Sequence, residues 1–286
     1  MSLSPAAVPY RNALAEPPLS EALAAIPEDL GAPPALESKS RRAGIRFREW
    51  LPANTGSDIY HVVYLPSDWQ PQRSYPVIVE YAGNTPANDP DKAIGRPEGC
   101  MLGYGLTAGS GAIWVCLPYV GADGKTYQKQ WWGDEKATVA YCKQAIPAVC
   151  REYGGDPSRV VLAGFSRGSI ACNFIGLHDD EIAKMWCGFI CHSHYDGARP
   201  WNYEGSDTLS AAARLARLGE RPQWISHEQS STVSIELTKA FINEHLPTGN
   251  FTFVELPFPD HTPRWLYRDF PERQQLRSWY QSLVEK

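Results

Sequence analysis

The spacing of apolar and polar positions changes several times along this chain, and each change marks an element. Residues 45–50 and 60–65 alternate apolar with polar, the period of two expected of half-buried strands, and short polar stretches separate them. Residues 76–81 (PVIVEY) and 112–118 are short, nearly continuous apolar runs, the form of strands buried on both faces. A long glycine-rich loop is expected between them. From 135 to 153 the spacing becomes helical. Residues 160–163 (VVLA) are again a buried-strand run, followed by a sharp turn at 164–168 and helical composition over 169–177. The same alternation continues, with strands expected at 185–192, 223–226 and 251–256 and helices at 209–218, 232–246 and 272–284. Eight strands that begin antiparallel and then alternate with helices define an α/β architecture, a mostly parallel sheet flanked by helices.

Residues 1–40 lack this periodicity. Pro5, Pro9, Pro17, Pro18, Pro27, Pro33 and Pro34 interrupt them, and only a brief helical pattern occurs near 19–26. They are expected to form an N-terminal arm on a catalytic domain of residues 41–286. The length of 286 residues suits one large domain, and 43% hydrophobic content supplies a core. With 21% charged residues and a net charge of -5, the chain lacks the basic footprint of a nucleic-acid binder. No apolar run reaches the roughly 18 to 20 residues of a membrane-spanning helix. Residues 1–9 show neither the basic start nor the apolar centre of a secretory signal; a leader removed earlier stays open, and so does the compartment. Seven cysteines are too few for a disulfide-built scaffold, and most sit in apolar patterns as buried thiols, with room for one disulfide.

The strongest chemical signal is Gly164-Phe165-Ser166-Arg167-Gly168, a G-x-S-x-G pentapeptide with a strand before it and a helix after it. The spacing has a steric cause. A serine on so tight a strand-to-helix turn adopts a strained backbone, and side chains at the flanking positions would strike the neighbouring strand and helix. On these residues the chain resembles the α/β-hydrolase superfamily, in its serine esterase branch. Gly154-Gly155-Asp156-Pro157-Ser158-Arg159-Val160 is similar to the G-x-D-P-x-R-V run of feruloyl-esterase-like and polyester-depolymerase-like carbohydrate esterases. Those enzymes usually have a small residue after the serine. Arg167 departs from that pattern and is similar to the arginine of glucuronoyl esterases, which assists the oxyanion or the substrate.

The resemblance implies Ser166 as nucleophile and a histidine base late in the chain. Of His178, His192, His194, His227, His245 and His261, the expected base is His261, on the loop between the last strand and the last helix. The orienting acid is expected after strand 7, where Glu228 is the only carboxylate in 226–232; Asp196, after strand 6, is the alternative. The resemblance also implies an oxyanion hole from the backbone N–H groups of Arg167 and Asn84, since Ala82-Gly83-Asn84-Thr85-Pro86 is similar to an H-G-N-P loop with alanine in place of histidine.

Two further features bear on function. His192 and His194 share one strand face, and with Asp196 they form the best candidate metal set; two histidines at a strand end are more commonly wall residues, so no metal or cofactor is expected. The chain also carries 10 Trp, 14 Tyr and 9 Phe with 24 Pro and 23 Gly, which implies structured loops rich in flat apolar side chains. Trp131, Trp132, Trp201 and Trp265 fall on such loops; Trp132, Trp201 and Trp265 are expected to bind substrate. The expectation is a hydrolase acting on a small-molecule or glycan ester, carbohydrate-linked or aromatic. A non-catalytic carbohydrate-binding relative and a peptidase on the same fold are the alternatives. The oligomeric state is open.

Overall fold

A computed structural model describes residues 19–37, 41–85, 95–229 and 234–285. Eight strands form one sheet: β1 (Arg46–Glu49), β2 (His61–Tyr64), β3 (Tyr75–Tyr81), β4 (Ile113–Leu117), β5 (Gly155–Phe165), β6 (Gly188–His192), β7 (Gln223–His227) and β8 (Phe251–Glu255). Their spatial order is β1-β2-β4-β3-β5-β6-β7-β8. β2 pairs antiparallel with β1 and β4, and every pairing from β4 to β8 is parallel. The expected mostly parallel eight-stranded sheet is therefore present.

Alternation along the strands divides the core in two. Val77, Val79 and Tyr81 of β3 face one side, where α3 (Glu135–Tyr153), α4 (Arg167–Phe174), α6 (Thr208–Leu215) and α7 (Ile235–His245) pack. Ile78 faces the other, with α2 (Leu102–Thr107), α8 (Pro271–Val284) and Leu23 of α1 (Glu21–Ala24). A short helix, α5 (Asp180–Ala183), adds Ile182 to the first layer. Among the described residues no helix is long and apolar enough to cross a membrane, and all seven cysteines are free thiols.

One helix contradicts the sequence expectation of a loop. α2 reads Leu-Gly-Tyr-Gly-Leu-Thr, and its glycines argue locally against a helix. The tertiary structure requires them: a Cβ on Gly103 would lie 2.2 Å from the Trp114 ring, and one on Gly105 would lie 2.6 Å from Leu266 Cβ. The buried Glu80 carboxylate accepts the N–H groups of Met101, Leu102 and Gly103 at 2.9–3.0 Å, and the Trp114 indole N–H at 2.8 Å. A side chain from β3 thus satisfies the helix start that no local residue caps.

Of the expected arm, residues 1–18 and 38–40 lie outside the described residues. Residues 19–37 run along the second layer, where Glu28 bridges to Arg268, Leu36 bridges to Arg46, and Asp29 pairs with the buried Arg273. At the carboxyl edge of the sheet, Ser20 N–H donates to Asp260 at 2.7 Å, beside His261.

The turn after β5 is the tightest point of the fold. A Cβ on Gly164 would sit 2.0 Å from the Gly168 carbonyl oxygen, and one on Gly168 would sit 1.8 Å from the Tyr81 carbonyl oxygen of β3. Both obstacles are backbone, so neither yields by a rotamer change. Gly168→Ala is therefore expected to lower stability by about 3 kcal/mol or more, read as a drop in the urea unfolding midpoint. A substitution cost near zero would contradict this packing.

Candidate active site

Ser166 stands between β5 and α4 with φ 56° and ψ -119°, a backbone region that side chains other than glycine rarely occupy. Its N–H donates to the His192 carbonyl at 3.1 Å, so the β5–β6 ladder extends up to the turn and holds it. The serine sits at the N-cap of α4 but makes no capping bond with its side chain. That leaves Oγ for His261, whose Nε2 is 3.1 Å away. The opposite ring nitrogen, Nδ1, donates to Glu228 Oε1 at 2.6 Å. A carboxylate only accepts, so the proton belongs on Nδ1 and a lone pair on Nε2 faces the serine hydroxyl. The structure thus brings Ser166, His261 and Glu228 into one hydrogen-bonded chain.

Burial is graded along that chain. The Glu228 side chain is 1% exposed and the His261 side chain 45%, so the ring links a buried carboxylate to the protein surface. Burial, the largest single influence, raises the Glu228 carboxyl, but the hydrogen bond from His261, the neighbouring His192 and His261 rings and a backbone N–H together outweigh it and hold the group near a pKa of about 2. Phe165, next to Ser166 in the chain, leans on the His261 ring at 4.7 Å.

Asp196, the alternative acid, is elsewhere. Its buried carboxylate takes two bonds from Arg214, at 2.7 and 3.1 Å, and one from Tyr203 at 3.2 Å. Nor does it join His192 and His194: among the described residues no group of three or more His, Cys, Asp or Glu is arranged to hold a metal. His192 is a buried wall residue. The Trp265 indole N–H donates to its Nε2 at 3.0 Å, which places its own proton on Nδ1, facing Ser226. Burial lowers its pKa and keeps it neutral.

The loop after β3 lies against Ser166: a Cβ on Gly83 would touch Ser166 Cβ at 3.3 Å. The Asn84 side-chain oxygen accepts the Trp131 N–H at 3.0 Å. The Arg167 side chain also points inward and is almost fully buried. One end of its guanidinium donates to the carbonyls of Gln128 (3.1 Å) and Trp131 (2.6 Å), the other to those of Gly83 (2.9 Å) and Gly95 (3.1 Å). Its plane lies 3.8 Å from the Tyr119 ring centre. The buried arginine side chain therefore laces the β3 and β4 loops to the Ser166 turn, unlike the substrate-side role the sequence resemblance suggests. Lysine has neither the fork nor the reach for four carbonyls.

The aromatic expectations divide. Trp132 is buried, stacked on Phe174 at 4.5 Å, and Trp265 is fully buried behind His192; both are packing residues and are corrected as substrate contacts. Their sequence neighbourhood is that of a cleft loop, but each indole finds more surface to cover inside. Trp201 is half-buried and stacks on His194 at 4.9 Å, and His194 in turn lies 5.0 Å from His261. Half-buried Trp131, 6.0 Å from Trp201, completes an aromatic rim.

Sequence reasoning passed over Ser193. It is buried, adopts φ 84°, and places its hydroxyl 2.9 Å from Glu228 Oε1, 2.8 Å from His261 Nδ1 and 3.0 Å from His194 Nδ1. The one signal was its position between two histidines at a strand end.

These features are those of an α/β-hydrolase fold with a serine, a histidine and a glutamate at its carboxyl edge. No family model matches the chain, and no curated protein matches it. Solved structures do. A thermostable esterase is similar at 17% identity and TM-score 0.51, over 83% of this chain and 62% of that one. An S-formylglutathione hydrolase from Agrobacterium tumefaciens matches at 16% identity and TM-score 0.53, over 84% and 94%. A variant of the AtxE2 isopeptidase matches at 11% identity and TM-score 0.55, over 84% and 40%. This chain thus spans less than two thirds of two of these proteins. At such identities the likeness is one of fold.

Two predictions follow from the geometry. Arg167→Met leaves four buried carbonyls without their donor and is expected to cost about 3 kcal/mol or more, measured by urea unfolding, with Arg167→Lys intermediate. The second concerns pH. Burial lowers His194 to about 4 and His227 to about 3, so their unfolded forms bind protons before the folded ones as pH falls below about 6.5. Glu228, lowered to about 2, adds the same sign of effect below about 4.5. The melting temperature is expected to fall continuously from pH 6.5 towards pH 3. A rise over that interval would contradict the buried, neutral histidines.

Proposed function

We propose that this protein is a serine hydrolase that cleaves carboxylic esters through an acyl-enzyme. The observation that carries the reading is the bond chain from Ser166 Oγ through His261 to Glu228, built on a strained turn at the sheet edge. Ser166 Oγ attacks the ester carbonyl while His261 Nε2 takes its proton. The resulting imidazolium is stabilised by Glu228, which keeps the ring in the tautomer needed at the start. The carbonyl oxygen becomes an oxyanion, held by the N–H groups of Arg167, at the first turn of α4, and of Asn84, on the loop against Ser166. His261 returns the proton to the leaving alcohol as the C–O bond breaks. Water, deprotonated by His261, then releases the acid and restores Ser166.

The aromatic rim of Trp131 and Trp201 supports a flat or ring-bearing substrate, an aryl or carbohydrate-linked ester. Likeness to an isopeptidase as well as to esterases makes amide cleavage the second reading. In this reading residues 41–286 form the catalytic domain and 1–40 its arm.

Kinetics on p-nitrophenyl acetate, an aryl ester, and the matching anilide test both. The wild type is expected to turn over the ester, and Ser166→Ala to lose activity by about 10⁴-fold or more. Retained activity in Ser166→Ala would sink the serine mechanism, and faster turnover of the anilide would favour the peptidase.

A further inference from the structure

Glu228 is one methylene longer than the aspartate that commonly orients such a base, and a longer side chain needs a second tether to hold one carboxylate oxygen on the ring. Only Oε1 is engaged: Oε2 is buried with no partner among the described residues. Oε1 receives two donors, the His261 Nδ1–H at 2.6 Å and the Ser193 hydroxyl at 2.9 Å. The hydroxyl has one proton and two lone pairs, and its surroundings use all three. The proton goes to Glu228. One lone pair faces His261 Nδ1 at 2.8 Å and shares the proton that Nδ1 gives to Glu228, and the other faces His194 Nδ1 at 3.0 Å. Because the Ser193 proton is committed to Glu228, His194 carries its own proton on Nδ1 and donates it. Trp201, stacked at 4.9 Å on the His194 ring, and the short bond from Ser169 to the His194 carbonyl brace that residue from either side.

The backbone conformation points the same way. Ser193 has φ 84°, where glycine would be at ease and a side chain is strained. Its N–H donates to the Ser226 carbonyl at 2.7 Å, which fixes the strained residue to β7, two positions before Glu228. A position that suits glycine instead holds a buried hydroxyl whose bonding capacity is taken up by Glu228 and two histidines.

We infer that Ser193 is a positioning residue that, supported by His194, locks the Glu228 carboxylate onto His261, so that the working unit is His194, Ser193, Glu228, His261 and Ser166. The inference rests on the serine-hydrolase reading above and adds two residues to it. Ser193 touches no reacting atom; it acts through Glu228.

Glycine at 193 separates this role from a structural one, because Ser193→Gly removes the hydroxyl and relieves the φ strain together. Ser193→Gly is expected to melt no lower than the wild type, yet to lose kcat on p-nitrophenyl acetate by about 10- to 100-fold with KM unchanged. Ser193→Ala, which keeps the β-carbon, is expected to show the same kcat loss. In a Glu228→Gln background Ser193→Gly is expected to change kcat less than threefold, since the anionic group it positions is already gone. Two results overturn the inference: wild-type kcat in either Ser193 variant, or a loss in Ser193→Gly that persists undiminished beside Glu228→Gln. A fluorophosphonate probe keeps the two readings apart. Wild type that labels at Ser166 while the Ser193 variants keep full kcat sinks only the role of Ser193, whereas wild type that neither labels nor turns over ester sinks the hydrolase reading and this inference with it.

Discussion

Everything at the carboxyl edge of this sheet depends on one strained turn. Ser166 occupies a backbone region that side chains avoid, and it is held there by Gly164 and Gly168, where a β-carbon would lie only 1.8–2.0 Å from a backbone carbonyl oxygen. The strain is local, of order 1–3 kcal/mol, and the ladder to β6 and the packing of α4 outweigh it. What the turn gains is position. It lifts a hydroxyl clear of the sheet, directs the start of a helix at the same point, and leaves the N-cap side chain with no local bond to make.

The remaining groups are arranged so that flexible parts are anchored from below. Arg167 follows Ser166 immediately, and its guanidinium ties the loops after β3 and β4 to the turn by four carbonyls. Glu228 is buried and His261 largely open, so the cleft receives the influence of a negative charge without exposing it to water. The N-terminal segment reaches the His261 loop, where Ser20 holds Asp260 next to His261. In each case a buried or half-buried polar group fixes a loop beside Ser166 or His261.

Much of the fold was legible in the sequence, because eight apolar runs and the helical spacings between them reflect which faces are buried. All eight strands and the helices α3, α4, α6, α7 and α8 fall where those patterns put them, with shifts at the ends. α2 was not legible. Its glycines are required by Trp114 and Leu266, residues far along the chain, and its cap comes from Glu80 in a strand. The turn motif pointed to Ser166, and the chain order that the superfamily resemblance implies pointed to His261 and Glu228. Order does not reveal which way a side chain points. Arg167 turns inward, Trp132 and Trp265 are buried, and Asp196 belongs to Arg214, and each depends on contacts between distant segments. Ser193 is the same problem at its sharpest, because a serine between two histidines carries no motif.

The central claim is that Ser166 is a nucleophile activated by His261. Stoichiometric reaction with diethyl p-nitrophenyl phosphate, followed by peptide mass mapping, tests it most directly. The account predicts one equivalent of p-nitrophenolate released per chain, a diethylphosphoryl group on Ser166, and a rate that collapses in His261→Ala. A phosphoryl group on another residue, or an unchanged rate without His261, would contradict it.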